Sequence, residues 1–396
     1  MIAVYIIIIA IAVTLFSYNR ILTENVERFN YKLSSGVVGG TYDVFMNTLN
    51  SQMVDKINNT TFSKELSTGS IKNLSTVNKY QNDFSLSQED LFFDSILGIN
   101  AFKKLSKPFE NLRFVSAAYF EKAHLIVRDE PDEEIQITSF KDLVNTIETK
   151  KIVVGVGPER SGSEYNFILM CLINGKNPGN FDKPDELRGG KEPTPNFFYK
   201  NSDMNTMFND FYNRKIDAIY LMTGAKNVYI ANLVKLMNVK FVDLINNNSS
   251  LLKTAFQSYY YEKSINLGDY YNEAEQQDQV PTIATRVILF THDKTPDDVV
   301  YNLVRDFYTK NYIYRNAINP SEIKYFTEEY EPLDLAFCKQ EYKIHPGARK
   351  FYLEQNLISS QDKFKYDLGY YHDEVIKNYW KFPEIGTKKF NFSRIL

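Results

Sequence analysis

The sequence predicts an α/β protein of two lobes behind an apolar N-terminal segment, and three observations carry that expectation. Short apolar runs alternate with helical patterns along most of the 396 residues, as in α/β chains. One device, a strand, a glycine-containing turn and an amphipathic helix, occurs twice, once at the opening of each expected lobe. The first 16 residues, Met1 to Phe16, are almost wholly apolar.

The apolar run is slightly short for a span of about 20 residues, with Ser17 and Tyr18 placed to lie at the interface. Residues 1–20 read as a transmembrane anchor or a signal segment. A cleaved signal fits less well, because no basic residue precedes Arg20 and no lipid-attachment cysteine follows. Either form places the rest of the chain outside the cytoplasm, held to the membrane by the N-terminal helix or secreted.

Tyr31 to Val38 reads as a short strand leading into Gly39-Gly40-Thr41. The next helix carries Tyr42, Phe45, Met46, Leu49 and Met53 on one face, the spacing of an amphipathic helix. Asp83-Phe-Ser-Leu, Arg113-Phe-Val-Ser-Ala-Ala and Ala123-His-Leu-Ile-Val-Arg are further strands, and the polar stretch from Glu130 is a linker. Residues 30–127 together with 281–346 form the first expected lobe, and 128–280 the second.

The second lobe opens with a helix at Phe140, then the strand Lys151-Ile-Val-Val-Gly-Val. A loop from Gly157 to Ser163 follows, and then a helix with Tyr165, Ile168, Leu169, Leu172 and Ile173 on one face. A helix ending near Lys215 precedes the strand Ile216 to Leu221, which Thr223-Gly224 terminates. Val280 to Phe290 is β-branched and returns to the first lobe. Thr295, with Asp298 three residues on, is expected to cap the following helix in a capping box. Residues 347–396 are a C-terminal helix and an extension, charged and aromatic beyond Asp362.

Composition excludes several function classes. A net charge of −3 with interspersed signs leaves no basic footprint for nucleic acid. Two cysteines and four histidines, without ligand spacing, argue against a metal site or a disulfide framework. Cys171 and His124, each inside an apolar run, read as core residues. No cofactor is expected.

A glycine and hydroxyl turn at a helix N-terminus leaves free N–H groups and the positive helix end aimed at one spot, a ready site for carboxylate or phosphate. Gly39-Gly40-Thr41-Tyr42 and Ser161-Gly162-Ser163-Glu164 are two such turns. Gly157 to Gly162 also fits the glycine spacing of a nucleotide loop. Ser163 stands where its lysine belongs, however, and Glu164 adds a negative charge, so that reading fails. No nucleophile elbow or triad spacing is present either, and the chain is expected not to be an enzyme.

Seven short motifs occur in order: Gly39-Gly-Thr-Tyr42, Thr68-Gly-Ser-x-x-Asn73, Ser87-Gln-Glu-Asp90, Ser161-Gly-Ser-Glu164, Lys215-Ile-Asp-Ala218, Thr223-Gly224 and His345-Pro-Gly-Ala348. In this order the chain resembles, from about Tyr31 to Leu357, the TAXI family of TRAP transporter solute-binding receptors. The resemblance implies a type II periplasmic-binding-protein fold with a small acidic solute (glutamate, a dicarboxylate or a 2-oxo acid) in the cleft, and TRAP-type integral membrane subunits as partners of a monomer. It also implies that Gly40, Thr41, Tyr42, Ser70, Asn73, Gln88 and Asp90 line the first lobe and Ser161, Gly162, Ser163, Thr223 and Gly224 the second. Asp90 is either a ligand's ammonium partner or a helix-capping carboxylate. The family pattern Gly-Ser-Gly-Thr-Glu is here Arg160-Ser-Gly-Ser-Glu, so Arg160 either faces solvent or clamps a ligand carboxylate. His345, ahead of Pro346, reads as a helix start. A ligand-sensing ectodomain without a transport role is the alternative function.

Overall fold

Glycine turns and β-branched runs set the order of elements in the computed structural model. It describes residues 29–53, 60–102, 107–130, 137–183, 192–245, 260–271, 278–309 and 343–356. The first part alternates β1 (Phe29–Ser34), α1 (Thr41–Met53), β2 (Thr60–Glu65), α2 (Ser70–Asn78), β3 (Phe84–Gln88) and α3 (Glu89–Leu97). The long β4 (Leu112–Arg128) leads to α4 (Phe140–Thr146), β5 (Ile152–Gly155), α5 (Gly162–Ile173), β6 (Gly179–Asn180) and β7 (Phe197–Lys200). Then come α6 (Met204–Tyr212), β8 (Ala218–Thr223), α7 (Val228–Leu236), β9 (Val239–Phe241), β10 (Tyr261–Asn266), β11 (Gln279–His292), α8 (Asp297–Thr309) and α9 (Pro346–Glu354).

The strands form one sheet in the order β2-β1-β3-β11-β4-β8-β5-β7-β6, with β10 on β11 and β9 on β4. Two parallel sets, β2-β1-β3 and β8-β5-β7-β6, are joined through β11 and β4, which run antiparallel to their neighbours. Apolar packing divides at the same place. Leu112 to Tyr119 of β4 pack with α1, α2, α3 and α8. Ala123, Leu125 and Val127 pack with α4, α5, β5 and β8. Met204, Phe211 and Ile230 belong to a third cluster on the other face.

Three expectations are corrected in detail. The stretches at Arg113 and Ala123 are one strand, because Glu121 and Lys122 between them keep their ladder positions against Thr285 and Ala284 of β11. β1 stops at Ser34 rather than running to Val38. A side chain at Gly36 would lie 3.0 Å from Tyr42 Cβ, and the Gly40 N–H donates to Val37 O in a turn. Thr295 does not build the expected capping box: its hydroxyl bonds Thr291 Oγ1 at 2.6 Å and His292 Nδ1 at 3.2 Å.

Three single-residue readings hold. Cys171 is fully buried. His124 is also fully buried between Lys122 O (2.8 Å) and the Tyr270 hydroxyl (2.9 Å), and burial pushes it down to about 3. His345 caps α9, accepting from the Gly347 N–H, with Pro346 at the first helical position. Among the described residues no helix is long and apolar enough to cross a membrane. The expected anchor at 1–20, Cys338 and the extension beyond 356 lie outside the described residues.

Candidate functional site

Parallel strands deliver their carboxyl ends, and the helices that follow them, to one edge of the sheet, the place where α/β folds bind ligands. Here β1, β2 and β3 bring up the starts of α1, α2 and α3, while β5 and β8 bring up those of α5 and α7. A cavity of about 80 Å³ lies where these ends meet. At roughly 10–15 Å³ per water on this measure, it suits a small solute and not a nucleotide.

Nine of the thirteen residues expected at the site line this cavity: Gly40, Thr41, Tyr42, Ser70, Gln88, Ser161, Gly162, Ser163 and Thr223. They come from both sides of β4 and β11, and the two sides touch. Thr41 Oγ1 lies 3.0 Å from Thr223 Oγ1 and accepts from the Gly224 N–H at 3.2 Å. The Tyr229 hydroxyl donates to Val38 O at 2.9 Å. A Cβ at Gly162 would strike the amide carbon and oxygen of Gln88, so any larger residue there has to displace the Gln88 side chain for α5 to come this close to β3.

The α5 turn is held by its own side chains. Ser161 Oγ accepts from the Glu164 N–H at 3.2 Å, and Glu164 Oε2 accepts from the Arg160 N–H at 2.6 Å. Ser163 Oγ accepts from Met222 N at 3.0 Å, tying the helix to β8. The carboxylate that spoils a nucleotide loop thus fixes the shape of this one. On the other side, the Tyr42 hydroxyl and Ser70 Oγ lie 2.9 Å apart, and Gln88 N–H donates to that Ser70 oxygen at 3.2 Å.

Four expected residues stand off the lining. Asn73, fully buried, donates to Ser35 O and Leu86 O at 2.8 Å each and accepts from Ser34 Oγ at 2.7 Å, so it staples α2 to β1 and β3. Asp90 accepts from the Tyr260 hydroxyl behind the cavity, and burial pushes its carboxyl up to about 6. Arg160 adopts φ 64° and is exposed, so of the two readings the structure supports the solvent-facing one. Gly224 packs against Thr41, where a Cβ would meet Cγ2 at 2.7 Å.

Sequence reasoning missed Glu121, which lines the cavity from the middle of β4 at 5% exposure. Its Oε2 accepts from Gln88 Nε2 at 2.9 Å. Burial raises its carboxyl to about 8, with the Asp90 charge adding to the rise and bonds from Gln88 and Tyr42 opposing it. A charged residue interrupting the apolar run from Phe114 to Val127 was the available signal. Asn227, also missed, caps α7 and donates to Thr223 Oγ1 at 3.0 Å. Among the described residues the lining contains no Lys, Arg or His and a single carboxyl group, that of Glu121. An anion there meets hydroxyls, amides and helix N-termini rather than a cationic side chain.

Among solved structures, MatC from Rhodopseudomonas palustris with bound malate is similar at 13% identity and a TM-score of 0.46, over 81% of this chain and 97% of that one. A second Rhodopseudomonas palustris protein, with adipate, gives 11% and 0.43 over 78% and 96%. A TctC solute binding protein from Polaromonas gives 13% and 0.38 over 74% and 88%. No curated protein sequence matches the chain. A family model described as the NMT1-like family matches residues 33–355, and the chain therefore belongs to the NMT1-like family.

Proposed function

We propose that this chain is an extracytoplasmic solute-binding protein, not an enzyme, that captures a small acidic metabolite and presents it to TRAP-type integral membrane subunits. Glutamate, dicarboxylates and 2-oxo acids are the candidate solutes. The observation that carries this reading is the convergence of helix N-termini from both sides of the sheet on one small cavity. Each such terminus offers unpaired N–H groups and about half a positive charge, which suits carboxylate oxygens without a fixed cation.

In this reading residues 30–127 with 281–346 form one lobe and 128–280 the other. β4 and β11 connect them, and opening separates Thr41 from Thr223 and Gln88 from Gly162. Solute bound between them bridges the lobes and holds the closed form. Residues 1–20 tether the protein to the membrane.

Thermal melting of the full chain against a panel of amino acids, dicarboxylates and 2-oxo acids tests the reading. A bound acid at 100 times its dissociation constant stabilises the fold by about 2.7 kcal/mol, a readily measured rise in Tm. Absence of any rise across the panel contradicts solute capture.

A further inference from the structure

Glu121 sits where the two apolar clusters meet, between Tyr119 of one and Ala123 of the other. On the same cavity wall Gln88, at 1% exposure, uses its Nε2 on Glu121, and its Oε1 has no hydrogen-bond partner among the described residues. Nε2 is committed to a carboxylate oxygen, so Oε1 is left as an unsatisfied acceptor on a side chain that lines the cavity wall. An unsatisfied amide oxygen therefore stands beside a carboxyl group that becomes a second, charged acceptor when it ionises.

Among the described residues no cation is paired with either group. Arg286 of the adjacent β11 is engaged with Glu89 at 3.0 Å. Lys122 follows Glu121 directly and so projects from the opposite face of β4, where its charge lowers the pKa of His124. The other titratable groups around Glu121 are Tyr42 from α1 and Asp90 from α3, neither of them cationic.

We propose that Glu121 and Gln88 Oε1 form an ammonium subsite, so that the captured solute is an α-amino acid whose carboxylate lies at the α1 and α5 N-termini. This rests on the solute-capture reading and narrows it. An ammonium supplies three donors and the missing positive charge. A 2-oxo acid or plain dicarboxylate presents only acceptors to Gln88 Oε1 and leaves that oxygen desolvated and unpaired. The assignment sought at Asp90 thus moves to a residue on the cavity wall.

Binding is then coupled to a proton. At about pH 7 Glu121 holds its proton, since burial raises its carboxyl to about 8. An ammonium beside it favours the ionised form, so amino-acid binding releases about one proton per solute, whereas amine-free acids release none.

The test is calorimetric titration of the full chain at about pH 7 in two buffers of different ionisation enthalpy. The probes are L-glutamate, L-aspartate and L-alanine, each beside its 2-hydroxy and 2-oxo counterpart. The expected result is an amino acid bound at least ~10-fold tighter than both counterparts, with proton release. Glu121→Gln is expected to abolish both the preference and the release, and Gln88→Leu, which removes the neutral acceptor together with the Nε2 donor to Glu121, to reduce the preference. Counterparts binding as tightly as the amino acid without proton release overturn the ammonium subsite and leave solute capture standing, as does a preference that survives Glu121→Gln. No binding by any probe overturns both. The wild-type comparison stands even if a variant fails to fold.

Discussion

A carboxylic acid buried without a cation keeps its proton, and at Glu121 this makes stability depend on pH in a calculable direction. Its pKa in the fold, about 8, exceeds the ordinary 4.5. Folding therefore gains from the protonated acid at low pH and loses that gain as pH rises towards 8. Asp90 acts with the same sign but is spent by about 6. His124, driven down to about 3 from 6.5, has the opposite sign, and its effect is confined to pH below 6.5. Among the described residues with shifted groups, Glu121 supplies the slope from pH 6.5 to 8. It amounts to roughly 2 kcal/mol lost over that interval at about 1.4 kcal/mol per pH unit. Urea unfolding across the interval checks the loss, and Glu121→Gln should flatten it. At this scale the sequence was uneven. The Ser161 turn announced itself by glycine and hydroxyl chemistry, whereas Asn73 has the same polar character but spends all of it on backbone carbonyls and Ser34. Only tertiary packing separates the two cases.

Between elements, the decisive feature is how closely the start of α5 approaches the end of β3. Gly162 makes that approach possible, and Gly162→Ala places a methyl group against the Gln88 amide. Overpacking in a rigid core costs about 1–3 kcal/mol. Across a cleft that opens, the strain is relieved by opening, and the cost falls on binding instead. The expected outcome is solute affinity reduced at least ~10-fold with Tm nearly unchanged. A lowered Tm with unchanged affinity contradicts a cleft at this place. α2 and α3 start without a side-chain cap and, like α7, went unread, but α1 and α5 were legible because each follows a glycine turn and carries a 3.6-residue stripe. β4 was not: Glu121 and Lys122 break its apolar pattern, and their burial follows from flanking strands that no local window contains. The capping box failed at Thr295 for a similar reason, since Thr291 and His292, brought up by β11, take its hydroxyl.

Across the whole molecule, the alternation of strands and helices gave the α/β class, and the repeated turn pointed to one shared cleft. Pairing order was beyond the sequence's reach, because β11 inserts between β3 and β4 from almost two hundred positions away in the chain. Nine of thirteen expected site residues share the cavity, since strand carboxyl ends and helix starts are coupled to chain chemistry, whereas Glu121 reaches the cavity only through that insertion. In the proposed function one acid touches helix N-termini from both sides of the sheet at once. Backbone amide chemical shifts, followed while the acid giving the largest melting rise is added to saturation, test this most directly. Thr41 and Tyr42 of α1 and Gly162 and Ser163 of α5 are expected to move together along one binding curve, further than amides elsewhere. Shifts confined to one of the two helices, or centred on another surface, would contradict it.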